Sequence, residues 1–245
     1  MLLDVAFLPS QAVNLTNTVC IVVDVLRASS SLVTLFERGC RQVLLAVSVS
    51  EGRRLARSGG HLLAGERNGL PPPDFDLGNS PVELQELELA GRTVVLTTSN
   101  GTVAMQKVAG ARAVLVGCFM NARACCAAAV ELTHDAGADL TVVCAGRQRR
   151  FAPDDAACAG FLVDTIAGLA GGSLGFTDAA RCALRLWRSY GEPMPAFRDS
   201  ATGRRVLEIG HGEDLVLCAR MNVSEVVPRL APSRPISLVQ SPAAG

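Results

Sequence analysis

Short apolar runs rich in β-branched residues recur along this chain and alternate with segments of helical period. The runs have the length of buried strands, and the alternation is typical of an α/β protein. The strands predicted from it span residues 2–8, 19–25, 42–47, 61–64, 93–97, 113–117 and 140–144. We therefore predict a three-layer α/β/α fold with a largely parallel or mixed sheet.

Helix-start residues mark the clearest element boundary. Ser80 can cap a helix, Pro81 suits its first position, and Glu83 completes a capping box. This helix is expected to run to about Leu89. Further helices are predicted at residues 122–134, 153–170 and 178–190.

The pattern changes after residue 172. A proline-containing connection is expected at 192–195, and a compact segment at 204–221 is interrupted by a Gly-His-Gly sequence. We predict an α/β core at 1–172, a C-terminal helical cover or smaller second lobe at 173–230, and a tail at 231–245. Because prolines cannot donate to a ladder, the tail is expected to add only an edge strand at 236–239.

Charge and composition restrict the partners. The 245 residues are 49% hydrophobic, enough for a full core, and 23 basic residues balance 23 acidic ones. A chain without net charge has no overall field to attract a polyanion, so nucleic acid is not an expected partner. The N-terminal sequence lacks a basic leader, and no run approaches the roughly 18 apolar residues of a membrane span. We expect a cytoplasmic protein that binds small molecules and no membrane.

Nine cysteines are scattered through apolar segments without a Cys-x-x-Cys pair. This distribution indicates reduced core residues rather than a disulfide framework or a structural zinc site. The three histidines, His61, His134 and His211, each stand alone in the sequence. A thiol-dependent enzyme assembled by the fold remains an alternative.

Polar residues are concentrated where predicted strands give way to helices. Asp24 and Arg27 follow the second strand, and Glu66 and Arg67 begin a proline- and glycine-rich loop at 65–81. In open α/β sheets, ligands bind beyond the carboxyl ends of the strands. Carboxylates there can bind Mg²⁺, and arginines can neutralise a phosphate or sulfonate through paired donors.

Two further loops have the same placement. The segment 97–102 supplies hydroxyls, an amide and a glycine before a helix, a composition suited to an anion. The other contains Gly146 and Arg147, followed by Asp154 and Asp155 at a helix start. Helix capping alone would explain both acids, because the macrodipole favours negative charge there.

Taken in order, these segments resemble the 2-phosphosulfolactate phosphatases, the ComB family of coenzyme M biosynthesis, from about residue 4 to residue 228. The ordered pair Asp-Leu-Gly-Asn-Ser-Pro and Asn-Gly-Thr is the most specific part of the resemblance. Asp154 departs from the family pattern, in which glutamate is usual, and residues 226–228 correspond to the family's closing strand. The matching segments are Asp-Val-Leu-Arg-Ala at 24–28, Gly-Glu-Arg at 65–67, Phe-Asp-Leu-Gly-Asn-Ser-Pro at 75–81, Thr-Thr-Ser-Asn-Gly-Thr at 97–102, and Cys-Ala-Gly at 144–146 with Asp155 and Ala-Gly at 159–160.

The resemblance implies a Mg²⁺-dependent phosphatase that acts on a small phosphorylated sulfonate or carboxylate, and it allows a homodimer. On this hypothesis the catalytic residues are Asp24, Glu66 and Asp76, and the metal ligands are Asp24, Glu66 and Asp155. Whether an aspartate attacks phosphorus or activates water is left open. A non-catalytic phosphate or nucleotide sensor on the same loops is a second alternative. The hypothesis assigns substrate binding to Arg27, Arg67, Asn79, Thr98, Ser99, Asn100, Gly101 and Arg147.

Overall fold

The computed structural model describes residues 1–171, 174–233 and 235–241. Its described strands belong to one sheet. These strands are β1 (Leu2–Ala6), β2 (Thr18–Val23), β3 (Gln42–Leu45), β4 (Leu62–Gly65), β5 (Thr93–Thr97), β6 (Ala113–Val116), β7 (Asp139–Cys144), β8 (Gly175–Phe176), β9 (Pro228–Ala231) and β10 (Ser237–Gln240).

Helices occupy most of the connections between these strands, and two short 3₁₀ turns lie at Pro9–Gln11 and Leu15–Asn17. The helices are α1 (Ala28–Glu37), α2 (Val49–Gly59), α3 (Pro81–Gln85), α4 (Gly101–Lys107), α5 (Ala122–Ala136), α6 (Pro153–Leu169), α7 (Asp178–Tyr190), α8 (Pro193–Asp199), α9 (Ala201–Glu208) and α10 (Gly212–Cys218).

The sheet consists of two parallel blocks joined by an antiparallel hairpin. Its strand order is β4-β5-β3-β10-β9-β6-β2-β7-β1-β8. Strands β4, β5 and β3 form one parallel block, and β6, β2, β7, β1 and β8 form the other. Strands β9 and β10 pair antiparallel with each other and with the block on either side. This arrangement confirms the predicted α/β class with a mixed sheet.

Side chains of β2 alternate between two cores, as the period of a strand requires. Val19, Ile21 and Val23 pack in a cluster with residues of α5, α6 and α7. Cys20 and Val22 face the opposite side and pack in a cluster with residues of α1 and α4. The sheet is therefore covered by helices on both faces, which gives the predicted three layers.

The predicted edge strand at 236–239 is wrong in its position. Strand β10 lies inside the sheet, where Leu238 pairs with Val43 of β3 and with Leu230 of β9. Pro232 and Pro235 precede the strand, so its own N–H groups remain available for pairing on both sides. The closing strand expected at 226–228 begins only at Pro228, as part of β9.

Two helix predictions also need correction. Helix α3 ends at Gln85 rather than near Leu89, and the Leu87 carbonyl accepts a hydrogen bond from Arg38 Nε at 2.8 Å. The connection predicted at 192–195 is wrong, because α8 begins at Pro193. Proline is tolerated at the first helical position, where its missing N–H would have no partner within the helix.

The C-terminal helices pack against the helical layer of the core. A Cβ added at Gly160 would lie 2.1 Å from the Ala183 carbonyl oxygen, so only glycine allows α6 and α7 to approach this closely. Trp187 and Phe197 pack in the same cluster as Ile21 of β2. Residues 172 and 173, at the predicted boundary, and 242–245 of the predicted tail lie outside the described residues.

None of the helices in the described part of the chain combines the length and apolar content needed to span a bilayer.

Candidate active site

A cavity of about 200 Å³ opens where the loops after β2, β4, β5 and β7 meet helix α9. It lies where loops that follow the carboxyl ends of β2 and β7 in one block meet those of β4 and β5 in the other, and such strand ends are where α/β sheets bind ligands. Helix α9 adds Thr202, Arg205 and Val206 to its wall. The structure thus brings most of the predicted site residues together, namely Asp24, Arg27, Glu66, Asn79, Thr98, Ser99, Asn100 and Arg147.

Asp24 is held at the turn from β2 into α1. Its backbone N–H donates to Ser29 Oγ at 2.8 Å, and the Ser29 N–H donates to the Asp24 carbonyl at 2.8 Å. The backbone N–H groups of Gly101 and Ala28 lie near its carboxylate and act to lower its pKa. A Cβ added at Gly101 would lie 2.7 Å from Asp24 Oδ2. Gly101, predicted to line the anion pocket, therefore lets the start of α4 approach the aspartate.

Three buried carboxyl groups near this turn have pKa values above the usual range of an aspartate. Burial, followed by the charges of Glu66 and Asp154, raises the pKa of Asp24 to about 7. Burial also raises the pKa of Asp154 to about 6. The pKa of Asp155 is raised well above its usual range by burial and by the charges of Asp154 and Asp24. A cation placed here would stabilise the ionised forms of these acids.

Glu66 joins the loop after β4 to the loop after β5. Its Oε1 accepts from the Ser99 N–H at 2.7 Å, and its Oε2 accepts from the Gly69 N–H at 2.8 Å and from Ser99 Oγ at 3.2 Å. The neighbouring Arg67 donates to the Glu66 carbonyl at 2.6 Å and to Thr97 Oγ1 at 2.9 Å. Arg67 is not part of the cavity lining and instead supports the end of β5.

The segment before α4 forms one wall of the cavity. Thr98 Oγ1 accepts from the Thr102 N–H at 3.1 Å, so this hydroxyl caps the helix as well as lining the cavity. Asn100 Oδ1 accepts from the Gln148 N–H at 3.2 Å, which links the loops after β5 and β7. Both the capping and the anion-binding interpretations of this segment therefore fit its position.

Arg27 is fixed by a buried ion pair. Its Nη1 lies 2.6 Å from Asp214 Oδ2, and its Nη2 donates to the Gly69 carbonyl at 2.5 Å. Asp214 also accepts from Ser80 Oγ at 2.6 Å. Sequence reasoning missed Asp214, because an acid in the first turn of a helix is explained equally well by the helix dipole.

Two of the predicted acids do not reach the cavity lining. Asp76 is exposed, and its Oδ2 accepts from the Leu63 N–H of β4 at 2.7 Å. Asp155 is buried, with Oδ1 accepting from the Val25 N–H and Oδ2 from the Gly146 N–H, both at 2.9 Å. Asp155 therefore ties together the ends of β2 and β7.

The donor set suits a Mg²⁺ ion shared with a bound phosphate. Asp154 Oδ1 and Asn79 Oδ1 are buried and have no hydrogen-bond partner among the described residues. In the described part of the chain, no three His, Cys, Asp or Glu side chains are arranged to hold a metal by themselves. Mg²⁺ commonly uses one or two carboxylates with waters and substrate phosphates, so Asp24 and Glu66 fit this mode. The sequence indicates only that Asp154 lies at a helix start. Its burial without a hydrogen-bond partner for Oδ1 from the residues that the structure describes is what makes it a candidate for the site.

The thiols are separate from this site. Eight of the nine cysteines are buried, and Cys182 on α7 is exposed. Burial raises the pKa of Cys20 to about 12 and that of Cys118 to about 11, which disfavours the reactive thiolate. No cysteine or histidine of the described residues lines the cavity. The cavity thus offers carboxylates, rather than a thiol, as reactive groups.

Comparisons with known proteins give one consistent family. A sequence family described as 2-phosphosulpholactate phosphatase matches residues 7–232. A protein of Deinococcus radiodurans is 38% identical over 216 residues, which cover 87% of this chain and 88% of the relative. A Thermus thermophilus protein is 36% identical over 213 residues, which cover 86% of this chain and 87% of the relative. A Carboxydothermus hydrogenoformans protein is 32% identical over 229 residues, which cover 93% of this chain and 92% of the relative. All three are named probable 2-phosphosulfolactate phosphatase.

Proposed function

This chain belongs to the 2-phosphosulfolactate phosphatase family, and from that premise we propose that it is a Mg²⁺-dependent phosphatase for a small phosphorylated sulfonate or carboxylate. The first candidate substrate is 2-phosphosulfolactate, which would yield sulfolactate and phosphate. One observation carries this proposal: a single cavity contains Asp24 and Glu66 together with Arg27 and Arg147. Such a cavity combines acids for proton transfer or metal binding with cations for an anionic ester.

Asp24 is the residue best suited to act at the reacting phosphate. With a pKa raised to about 7 by burial and by neighbouring carboxylates, it can take up or release a proton near neutral pH. It would activate the attacking water or attack phosphorus itself. Glu66 and Asp24 would hold Mg²⁺, which when bound supplies positive charge to the transferring group.

The surrounding residues would bind and orient the ester. Arg27, whose guanidinium is held by Asp214 and Gly69, would donate to phosphate oxygens. Ser99 Oγ and the Asn100 amide line the same cavity and add neutral hydrogen-bonding groups. Asp76 and Asp155 would act indirectly, by holding the strands and loops that carry Glu66 and Asp24.

Phosphate release from 2-phosphosulfolactate, measured with excess Mg²⁺ and with EDTA, tests the proposal. We expect turnover with Mg²⁺ and its loss with the chelator, restored by adding the metal back. Release of phosphate from related phosphorylated hydroxy acids would define the substrate range. Tight binding of inorganic phosphate without turnover of any ester in excess Mg²⁺ would instead support the sensor alternative and overturn the proposal.

A further inference from the structure

The cavity brings acidic and basic side chains together. Asp24 and Glu66 come from the loops after β2 and β4, whereas Arg147 and Arg205 come from the loop after β7 and from α9. Arg27 also lines the cavity, but its charge is compensated by the buried Asp214. Arg147 and Arg205 are thus the cavity arginines that remain for a second anionic group.

Backbone carbonyls hold both arginines in place. Arg205 Nε donates to the Asn68 carbonyl at 3.2 Å, and Arg147 Nη1 donates to the Ala201 carbonyl. Arg205 Nη1 lies 3.4 Å from Glu208 Oε2, a pair at the solvent-exposed end of the helix and therefore weak. The Nη2 atoms of both arginines have no protein acceptor among the described residues. Each guanidinium is oriented yet keeps donors for a ligand.

Helix α9 lies directly against the loop that carries Glu66. A Cβ added at Gly69 would lie 2.9 Å from Ile209 Cδ1 and 4.0 Å from Arg205 Cγ. A compact ester whose phosphate lies near Asp24 would place its remaining groups in the same cavity that α9 lines. An anionic group on that part of the ester would meet guanidinium donors, whose planar fork matches carboxylate and sulfonate oxygens.

We propose that Arg205, together with Arg147, binds a non-reacting anionic group of the substrate and so makes α9 the element that selects phosphate esters with a further anionic group. This inference rests on the proposed phosphatase function and identifies the part of the site that sets substrate class. A phosphate ester without a second anion would bind with these two arginines unused. The C-terminal helices would then determine substrate selectivity, and the loops of the sheet would carry the catalytic residues.

Binding of the dephosphorylated product gives a test that does not depend on turnover. Calorimetry should show that Arg205→Gln weakens sulfolactate binding about 10- to 100-fold and inorganic phosphate binding less than about 3-fold. The matched control is Arg204→Gln, since Arg204 is exposed on the same helix and donates to the Asp199 carbonyl at 2.7 Å. The control should leave both affinities unchanged. Equal weakening of both ligands by Arg205→Gln would overturn the inference.

Turnover of esters with different tails identifies the bound group. Arg205→Gln should lower kcat/KM about 10- to 100-fold for 2-phosphosulfolactate and less than about 3-fold for phenyl phosphate, which has no second anion. 2-Phospholactate lacks the sulfonate, and the phosphate ester of 2-hydroxyethanesulfonate lacks the carboxylate. The ester for which Arg205→Gln still causes the large fall in kcat/KM carries the group that Arg205 binds. A loss of the same size for phenyl phosphate would contradict the proposal.

Two further measurements keep the result interpretable. Arg205→Lys preserves the charge but not the fork, so it should recover part of the sulfolactate affinity that Arg205→Gln loses. Circular dichroism and thermal unfolding would establish that each variant is folded. If the wild-type protein hydrolyses no phosphate ester, the proposed function fails, whereas the sulfolactate affinities still decide whether Arg205 binds the second anion.

Discussion

Arg27 and Asp214 are 187 residues apart in sequence and form an ion pair of 2.6 Å in the interior. Their side chains are only 3% and 1% exposed, respectively. Arg27 lines the cavity and Asp214 belongs to α10, so the pair connects the loop after β2 to the C-terminal helices. Asp214 also accepts from Ser80, which caps α3. One carboxylate therefore fixes a cavity arginine and the start of α3.

Replacing Asp214 should harm stability and activity together. Removing one partner of a buried pair leaves an uncompensated charge, so Asp214→Asn should lower the free energy of unfolding by about 3 kcal/mol. We also expect kcat/KM to fall at least about 10-fold, because Arg27 loses its orientation. Urea unfolding and steady-state kinetics measure the two effects. Asp74→Asn breaks the exposed pair with Arg53 and should leave the unfolding midpoint unchanged.

Asp24→Asn should lower turnover at least about 100-fold, because an amide can neither transfer the proton nor bind a cation as a carboxylate does. Steady-state phosphate release with saturating Mg²⁺ is the measurement. Asp164→Asn, on the partly exposed face of α6, is a matched control that should retain activity. Normal turnover by Asp24→Asn would remove Asp24 from the catalytic site.

The same substitution should stabilise the metal-free protein at neutral and alkaline pH. Burial and nearby carboxylates raise the pKa of folded Asp24 to about 7, above the 3.8 of an unperturbed aspartate. The folded state then binds more protons than the unfolded state, so stability is lost as pH rises from about 4 through 7. Asn cannot ionise and avoids this loss. With EDTA at pH 8 we expect Asp24→Asn to melt about 2–4 °C higher, which corresponds to about 1 kcal/mol. A difference in melting temperature between Asp24→Asn and the wild type that is larger at pH 4 than at pH 8 would contradict the raised pKa of Asp24.

Gly101→Ala should reduce activity without changing any charged group. The added Cβ would lie 2.7 Å from Asp24 Oδ2 and 2.8 Å from Ala28 Cβ, so the start of α4 or the aspartate must move. Small displacements of reacting groups are costly, and we expect kcat/KM to fall about 10- to 100-fold. Gly110→Ala is the control, since a Cβ there meets nothing within 4 Å. The kinetics of the two variants should therefore differ clearly.

Thiol titration separates this site from thiol chemistry. In the folded protein a disulfide reagent should modify Cys182 quickly, while the eight buried cysteines should react only on unfolding. Phosphatase activity should persist after Cys182 is modified, because this residue is not part of the cavity lining. Rapid inactivation by the reagent at one equivalent would favour the thiol-dependent alternative.

Much of the fold was predictable because the signals are local. Apolar runs such as 19–25 and 140–144 indicate buried strands, and their alternation with helical segments gives the α/β class. The position of β10 was not predictable in this way. Its sequence, preceded by Pro232 and Pro235, resembles that of an edge strand, and its pairing with β3 and β9 depends on contacts with distant segments.

Prediction of the site from sequence is limited in the same way, because sequence signals are local. Asp24 and Glu66 are predictable because each directly follows a strand, and Asn100 is predictable because it lies in the loop between β5 and α4, positions that sequence can locate. Asp214 and Arg205 were missed because their importance comes from what they contact across the fold. Neither differs locally from an ordinary acid or arginine on a helix, so only coordinates reveal the ion pair and the cavity wall.

The hairpin of β9 and β10 has a consequence for synthesis of the protein. Glu66 and the β5 loop belong to one parallel block, Asp24 and Arg147 to the other, and strands β9 and β10 supply the hydrogen-bonded junction. A nascent chain that has not yet produced this hairpin holds two half-sheets whose β3 and β6 edges are unpaired. Such edges invite intermolecular pairing. The ribosome-bound protein should accordingly depend on chaperones until β10 has been synthesised, and it should acquire catalytic competence only then.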